Sequence, residues 1–283
     1  MRGYILNLTA WLILPFMDAI AKYLSFSLPV LQVTWFRFFF STIFTLLFIS
    51  FFSRKSFKTP RNLKYQIIRG ILLLTSSVLF FFSISIISLP KALTLAFICP
   101  LVVTALSPYF LNEKVGLRRW IAVTTGFLGI LIVIRPGIIE FNLASLAAIG
   151  TGICYAFYLI VTRKLKNKDN GFLTLLTTST VGTIILSLFI PFIWISPTYN
   201  DYILGFAMGF IAALAHGMII TSYNYAEASK LAPLGYFEII TNIFISYILF
   251  SNLPDNFTFL GLSIIIISGV YVFKREYNLS KLY

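Results

Sequence analysis

Apolar segments about as long as a membrane is thick follow one another along nearly the whole sequence. Only 11% of the 283 residues are charged and 59% are hydrophobic, a composition that a soluble domain cannot bury but that a bilayer requires. The apolar runs have helix length, whereas strands of a membrane barrel alternate polar and apolar residues over roughly ten positions. The sequence therefore predicts an all-α integral membrane protein.

We predict ten transmembrane helices along the chain. They span residues 3–25, 29–52, 66–88, 91–111, 117–135, 142–164, 171–195, 202–226, 231–251 and 257–273. The second half of the sequence repeats the first at an offset of about 140 residues. The aligned pairs include Asn112 with Asn252 and Gly129 with Gly269. Because repeats in membrane proteins indicate paired bundles around a central site, we predict two five-helix repeats, residues 1–138 and 139–283.

Basic residues indicate how the two repeats insert. The 54–64 loop is strongly basic while its repeat mate near 194–204 has no cation, and the neutral 25–29 turn has a mate at 163–169 that carries four. Cytoplasmic loops of membrane proteins are enriched in Lys and Arg. The two repeats are therefore predicted to insert upside down relative to each other, with both termini cytoplasmic. This topology also explains the net charge of +13 without a nucleic-acid partner.

The sequence contains none of the common catalytic motifs that we considered. It contains one His, two isolated Cys and no HExxH, GxSG or P-loop pattern, which argues against membrane protease chemistry and ATP hydrolysis by this chain. We expect no enzymatic activity, no bound metal and no cofactor.

Polar residues at membrane depth are the candidates for substrate binding, because each is costly there unless it faces a cavity or a partner. Glu238 is the foremost, with Asn242 on the same helical face and Tyr236 adjacent to it; Asp18 has Tyr158 as its repeat mate. The candidate substrate-binding residues are Glu238, Asn242, Tyr236, His216, Tyr223, Asp18, Tyr158, Arg37, Ser76 and Ser83.

Two of these candidates share a predicted helix face. His216, Tyr223 and Glu227 are spaced by seven and four residues in the predicted helix 202–226 and its end, which places them on one side of it. The repeat mates of His216 and Tyr223 are Ser76 and Ser83. Polar groups thus fall at matching positions of two helices, as expected if both helices line one pathway.

Charged residues elsewhere allow more than one interpretation. Asp18 and Lys22 are four residues apart, so they can form an intrahelical ion pair, or Asp18 can contact substrate. Arg37 lies too deep to reach the membrane surface, which predicts pairing with a carboxylate or a substrate anion. Arg69 is predicted to reach back to the lipid headgroups. Glu113 is interpreted as a solvated interface residue at a helix end.

Several segments resemble motifs of one known family. They are TWFRFFFS (34–41), IIRGILLL (67–74), the stretch 100–114 that ends in FLNEK, the glycine pattern of the predicted helix 117–135, LAPLGYFEII (231–240) and FSNLPD (250–255). On these segments the chain is identified as a member of the drug/metabolite transporter superfamily, EamA type. The last two segments are similar to the S-adenosylmethionine uptake branch and, more loosely, to riboflavin importers.

The resemblance implies ten helices, cytoplasmic termini and a central cavity. The helices that it implies around the cavity are 3–25, 66–88, 91–111, 142–164, 202–226 and 231–251. At Ser251 to Pro254 the second repeat lacks the acidic residue that Glu113 supplies in the first, which puts in doubt any role assigned to Glu113 by symmetry.

The sequence as a whole favours a secondary transporter in a bacterial cytoplasmic (inner) membrane. It would move a small polar metabolite, such as an amino acid, an S-adenosylmethionine-like solute or a flavin- or nucleoside-like solute, by alternating access. The expected partners are that solute, the lipid bilayer and, as one option, a coupling proton, with the chain as monomer or homodimer. A flippase for lipid or lipid-linked substrates and a non-transporting membrane subunit are the alternatives.

Overall fold

A computed structural model gives the fold of the chain. It describes residues 2–52, 60–113, 115–134, 142–166, 168 and 170–279. All regular elements in these residues are helices, and no strand occurs among them. The predicted repeat boundary at residue 138 lies outside the described residues, as does most of the basic part of the 54–64 loop.

The helices follow one another with short connections. In chain order they are α1 (Arg2–Leu24), α2 (Val30–Phe52), α3 (Leu63–Ile86), α4 (Leu89–Ala96), α5 (Ile98–Leu111), α6 (Leu117–Ile134), α7 (Leu143–Lys164), α8 (Gly171–Ser187), α9 (Ile190–Ile193), α10 (Tyr199–Ser222), α11 (Ala228–Leu231), a 3₁₀ turn (Ala232–Phe237), α12 (Glu238–Phe250) and α13 (Asn256–Leu279).

Six of these segments are long and apolar enough to cross a membrane. They are α1, α2, α3, the α4–α5 pair, α7 and α10, and shorter apolar helices lie in α6, α8, α12 and α13. Large apolar side chains such as Phe51, Phe192 and Phe244 are exposed, as expected for a surface in contact with lipid tails. The prediction of a multi-pass helical membrane protein is confirmed at this level.

The predicted helix 91–111 is wrong in detail, because the structure begins it at Leu89 and breaks it at Phe97. Pro100 has no backbone N–H to donate to the carbonyl of Ala96 four residues earlier, and such a loss bends or breaks a helix. The freed carbonyl of Ala96 lies against α7 at Gly152, where an added Cβ would come within 2.4 Å of the oxygen. The break thus lets two backbones approach closely.

The predicted helix 231–251 also differs from the structure. Its first part forms α11 and the 3₁₀ turn, and regular α-helix begins only at Glu238. Gly235 therefore lies outside the regular helix that carries Glu238 and Asn242. A 3₁₀ stretch between two α-helical segments often marks a hinge. This one lies between α11 and α12 and borders the central cavity, as the break at Phe97 does.

Two further boundaries needed correction. The predicted helix 171–195 ends at Ser187 and is followed by the short α9. The predicted helix 202–226 runs instead from Tyr199 to Ser222, because Thr198 and Asp201 form a capping box at its start. Glu227 therefore lies outside α10 and does not share a helical face with His216.

Helix packing places the buried side chains around the middle of the bundle. α3 packs against α7 and α8, α1 packs against α10 and α12, α2 packs against α8 and α10, and α6 packs against α13. Small residues permit the closest approaches, as at Gly209, where an added Cβ would lie 2.3 Å from the Cβ of Phe40. Such small-residue contacts are typical of helices that associate in a membrane.

The ends of α5 and α12 have the same local geometry. Asn112 and Ser251, the residues that follow these helices, have left-handed φ values of 54° and 53°. The next N–H, from Glu113 or Asn252, reaches back to the carbonyl of Ser107 or Ser246, at 3.3 and 3.2 Å respectively. By this geometry Asn112 corresponds to Ser251. The sequence alignment, which pairs Asn112 with Asn252, is one residue away from this correspondence.

Candidate substrate-binding cavity

A central cavity lies between α1, α3, α7, the α4–α5 break and the start of α12. It encloses about 740 Å³ of space that no protein atom fills, a figure that includes open solvent. Five of the ten candidate residues line it, namely Asp18, Arg37, Ser76, His216 and Glu238. The structure thus brings together residues from five different helices that were singled out for their polarity at membrane depth.

Asp18 and Glu238 place two carboxyl groups on the cavity wall. Both residues are buried, at 3% and 6% exposure, and the two groups are close enough to interact electrostatically. Among the described residues, no hydrogen-bond donor contacts either carboxyl group, although Arg37 interacts electrostatically with Asp18. Buried carboxylates are normally paired, so the wall offers two acceptors for positively charged groups of a ligand.

Arg37 provides the positive charge of the cavity. Its Nη2 donates to Nε2 of His216 at 2.7 Å, its Nη1 donates to Oγ of Ser77, and its Nε lies 3.3 Å from Sδ of Met17. The predicted pairing of Arg37 with a carboxylate is met only as an electrostatic interaction with Asp18. Because the guanidinium is held at several points, its position in the wall is fixed.

His216 connects Arg37 to a second buried arginine. Since Nε2 of His216 accepts from Arg37, the neutral ring carries its proton on Nδ1, which lies 3.3 Å from the hydroxyl of Tyr158. The same hydroxyl accepts from Nη2 of Arg69 at 3.0 Å. A continuous hydrogen-bonded chain therefore runs from the cavity wall through His216 and Tyr158 to Arg69.

Arg69 does not reach the headgroups, and that prediction is wrong. It is fully buried, and besides Tyr158 it donates to Gln66, Thr162, Thr174 and Thr178. Five neutral oxygens from α3, α7 and α8 thus surround the guanidinium. This cluster joins α3 to two helices of the second half of the chain.

Aromatic side chains form another part of the wall. Trp11, Tyr155, Phe80, Phe81 and Phe97 line the cavity. The Trp11 and Tyr155 rings meet edge to face at 5.8 Å, and the hydroxyl of Tyr155 is buried without a hydrogen-bond partner among the described residues. A flat or cationic ligand group can pack on such rings.

The remaining five candidates lie behind the wall or beyond it. Tyr158 joins His216 to Arg69, and the ring of Tyr236 packs edge to face on Phe97 at 5.3 Å. The carbonyl of Tyr223 accepts a hydrogen bond from Arg163. Ser83 and Asn242 are fully buried, and their side-chain polar atoms have no partner in the described part of the chain.

Lys22 lies beyond the cavity at the end of α1, and the ion pair considered with Asp18 is not formed. Its Nζ donates instead to the carbonyls of Ile84 and Ile87, at 2.6 and 3.1 Å. It also lies 5.7 Å from the centre of the Phe250 ring. We refer to this region, where α1, α3 and α12 end, as the Lys22 end of the bundle.

Arg163 holds the opposite end together, near the start of α1. Its Nε forms an ion pair with Oε1 of Glu113 at 3.2 Å, and its Nη1 donates to the carbonyl of Tyr223. Glu113 also accepts from the N–H of Ala228 at 3.1 Å. The interpretation of Glu113 as a solvated residue is therefore wrong, because it joins the ends of α5, α7 and α10 at what we call the Arg163 end.

Sequence reasoning missed Trp11 and Ser77 as cavity residues. Trp11 lies one heptad before Asp18, so helical spacing from that acidic residue indicates it. Ser77 adjoins the candidate Ser76. Metal ions have no evident site, since no cluster of three or more His, Cys, Asp or Glu side chains occurs among the described residues.

A membrane bundle of helices around an apolar cavity that a few charged side chains line is the architecture of a solute transporter. The chain belongs to the EamA-like transporter family, whose sequence pattern it matches twice, over residues 1–135 and 142–274. The identification made from the sequence motifs, within the drug/metabolite transporter superfamily, is thereby confirmed.

Similar proteins carry transporter names. An S-adenosylmethionine uptake transporter of Rickettsia bellii is 29% identical over 262 residues, covering 92% of this chain and 89% of the relative. A riboflavin transporter of Vibrio cholerae is 27% identical over 292 residues, covering 99% and 96%. A pseudopaline exporter of Pseudomonas aeruginosa is 22% identical over 280 residues, covering 97% and 96%.

The fold is also found in a solved crystal structure. It aligns with a TM-score of 0.72 over 95% of each chain, at 15% sequence identity. At that identity the likeness is one of fold alone. The family and the relatives together support transport of a small metabolite.

Proposed function

We propose that this chain is a secondary transporter for a small metabolite that carries both positive and negative charge, with S-adenosylmethionine as the best-fitting solute. It works by alternating access around the central cavity, in a bacterial inner membrane with both termini in the cytoplasm. The observation that carries this proposal is the set of charges on the cavity wall: one fixed guanidinium lies beside two carboxyl groups that no hydrogen-bond donor of the described residues contacts.

The charges on the cavity wall match those of S-adenosylmethionine better than those of riboflavin. When both are ionised, Asp18 and Glu238 present two negative charges and Arg37 one positive charge. S-adenosylmethionine carries a sulfonium, an ammonium and a carboxylate, so each of its charges has an opposite partner in the cavity. Its adenine ring can pack against Trp11 and Tyr155. Riboflavin has no net charge, so the two carboxylates would exceed the single positive charge of Arg37 and one of them would stay buried without an opposite charge, which is costly.

The relatives support the same solute class. Four S-adenosylmethionine uptake transporters from Rickettsia species are 28–29% identical to this chain over 92% of its length. We assign the contact with a flat ring of the solute to Trp11 and Tyr155, which line the cavity. Tyr158 is assigned the role of positioning His216.

Two inverted five-helix halves, residues 1–138 and 139–283, would produce the two conformations of alternating access, each open to one side of the membrane. The double family match supports the halves. The helix contacts support them too, because contacts of α3 have counterparts in contacts of α10, the corresponding helix of the other half. α3 packs on α7 as α10 packs on α1, and α3 packs on α8 as α10 packs on α2. Inverted repeats can exchange conformations, so that one central site opens to either side in turn.

Counterflow into proteoliposomes tests the proposal. Vesicles loaded with unlabelled S-adenosylmethionine should accumulate the labelled compound when they contain the wild-type chain. Glu238→Gln and Asp18→Asn should each reduce this uptake at least tenfold, because each leaves one cation of the solute unpaired in the cavity, a loss of about 1.4 kcal/mol or more.

The matched control is Glu227→Gln. Glu227 is a carboxyl of the same kind, but it is 37% exposed and paired with Lys230. Its uptake should equal that of the wild type. Wild-type uptake in both Glu238→Gln and Asp18→Asn, with all proteins folded, would remove the two carboxyls from the proposed mechanism.

A further inference from the structure

Lys22 lies beyond the cavity, at one end of the bundle. It lies one helical turn beyond Asp18 on α1 and is only 6% exposed. Its ammonium bonds the carbonyls of Ile84 and Ile87 at the end of α3 and lies over the ring of Phe250 at the end of α12. One side chain therefore holds together the ends of three helices that also line the cavity.

Buried polar side chains lie on α3 and α12 between the cavity and the Lys22 end. Asn242 and Ser246 follow Glu238 at intervals of four residues, so they share its face of α12, and Ser83 lies near the end of α3. All three are fully buried, and the hydroxyls and both amide atoms lack hydrogen-bond partners among the described residues. Leaving such groups unpaired costs about 1–3 kcal/mol each.

Polar groups are retained at such a cost when another conformation hydrates them or binds a ligand to them. We propose that Ser83, Asn242 and Ser246 line a second part of the substrate path, closed in this conformation, and that Lys22 is the gate that closes it. This inference depends on the proposed transport function. Hydroxyl and amide groups both donate and accept, so they suit a solute that carries ammonium and carboxylate groups.

The opposite end has an equivalent arrangement. Arg163 lies near the end of α7 and bonds a carbonyl at the end of α10, as Lys22 near the end of α1 bonds carbonyls at the end of α3. α7 and α10 are the predicted repeat mates of α1 and α3. Two cations thus hold the two ends of the cavity in corresponding ways, which is the arrangement that paired gates of an inverted repeat require.

The two gates differ in strength. Arg163 has the carboxylate of Glu113 as an ion-pair partner. The position that corresponds to Glu113 by helix-end geometry is Asn252, which has no charge. The Arg163 end is further held by the Arg69 cluster. Among the described residues, Lys22 contacts two carbonyls and the ring of Phe250, and it has no carboxylate partner. The Lys22 end should therefore open more readily.

Thiol accessibility tests the gate. In a background of Cys99→Ser and Cys154→Ser, Ser246→Cys places one thiol in the closed path. The detergent-solubilised chain is treated with the membrane-impermeant cation [2-(trimethylammonium)ethyl] methanethiosulfonate. Modification should be slow with Lys22 intact and at least tenfold faster in Lys22→Met, because the helix ends are no longer held together.

Ile245→Cys is the control for general loosening. Ile245 is buried on the same helix, at 5% exposure, but on a neighbouring face, so its rate should not change with Lys22→Met. An equal increase in the modification rate of both thiols in Lys22→Met would overturn the inference. So would fast modification of Ser246→Cys while Lys22 is intact, or a rate that stays slow in Lys22→Met.

A second variant makes the opposite prediction and leaves Lys22 in place. Asn252→Glu supplies the carboxylate that the Lys22 end lacks, so it should slow the modification of Ser246→Cys at least threefold. An unchanged or faster rate would contradict the gate. Both measurements are made without solute, so a failure of S-adenosylmethionine uptake would refute the proposed solute while leaving the accessibility result to decide on the gate.

Discussion

Replacing Arg69 by Met should destabilise the folded chain without touching the cavity wall directly. The guanidinium donates five hydrogen bonds, to Gln66, Thr162, Thr174, Thr178 and Tyr158. Side-chain hydrogen bonds inside membrane proteins contribute about 0.6 kcal/mol each on average, so the five together contribute roughly 3 kcal/mol. Removal of the charge also removes its desolvation cost, which keeps the net loss near this value rather than above it.

Thermal unfolding of the detergent-purified chain measures the effect. A loss of about 3 kcal/mol should lower the unfolding temperature by roughly 6–12 °C for a chain of this size. Lys64→Met is the control, since Lys64 lies near the start of the same helix but is exposed, and it should shift the temperature by no more than about 1 °C. An equal shift in the two variants, or a change below about 2 °C in Arg69→Met, would refute the reasoning.

Two further variants test the packing and the unpartnered polar groups. Gly152→Ala should destabilise the chain by about 1–3 kcal/mol, because its Cβ would lie 2.4 Å from the carbonyl oxygen of Ala96. Gly217→Ala is the control in the same thermal assay. It should be tolerated, because the nearest neighbour of its Cβ would lie at 3.6 Å. Asn242→Leu should leave stability unchanged or higher, because it removes a buried amide that has no hydrogen-bond partner in the described part of the chain, yet it should reduce uptake in vesicles. A stability loss as large as that of Gly152→Ala would show that the amide is bonded.

The helical membrane fold is predictable from the sequence because a bilayer leaves few alternatives for long apolar runs. The helix breaks were not predicted, since hydropathy is insensitive to a missing N–H. Pro100 nevertheless gave a local signal, because its effect falls on the carbonyl of Ala96 four residues earlier. The 3₁₀ turn before Glu238 has a comparable signal in Gly235, which favours irregular backbone over α-helix.

The charged part of the site is predictable for a related reason. Asp18, Arg37, His216 and Glu238 are conspicuous at membrane depth, where each requires a cavity or a partner. The fate of Arg69 was not predictable, because its acceptors are hydroxyl and carbonyl groups that only tertiary packing brings to it. Neutral acceptors on other helices leave no sequence pattern.

The contacts of Lys22 and of the aromatic residues were also not predictable, because they too depend on tertiary packing. Lys22 has Asp18 four residues away in sequence, yet it bonds carbonyls that become available only where α3 ends. Helical spacing from Asp18 indicates the helix face of Trp11, but the sequence does not distinguish Trp11 and Tyr155 from the many other aromatic residues, which make up 17% of the chain. Their position becomes evident only when α1 and α7 are placed together.

The most direct test of the central claim is competition by a solute that differs by one positive charge. S-adenosylhomocysteine has the shape of S-adenosylmethionine without the sulfonium methyl group and its charge. If Asp18 and Glu238 bind the two cations of the solute, S-adenosylmethionine should compete for uptake at least tenfold better, and Glu238→Gln or Asp18→Asn should abolish this preference. Equal competition by the two compounds in the wild-type chain would contradict the account.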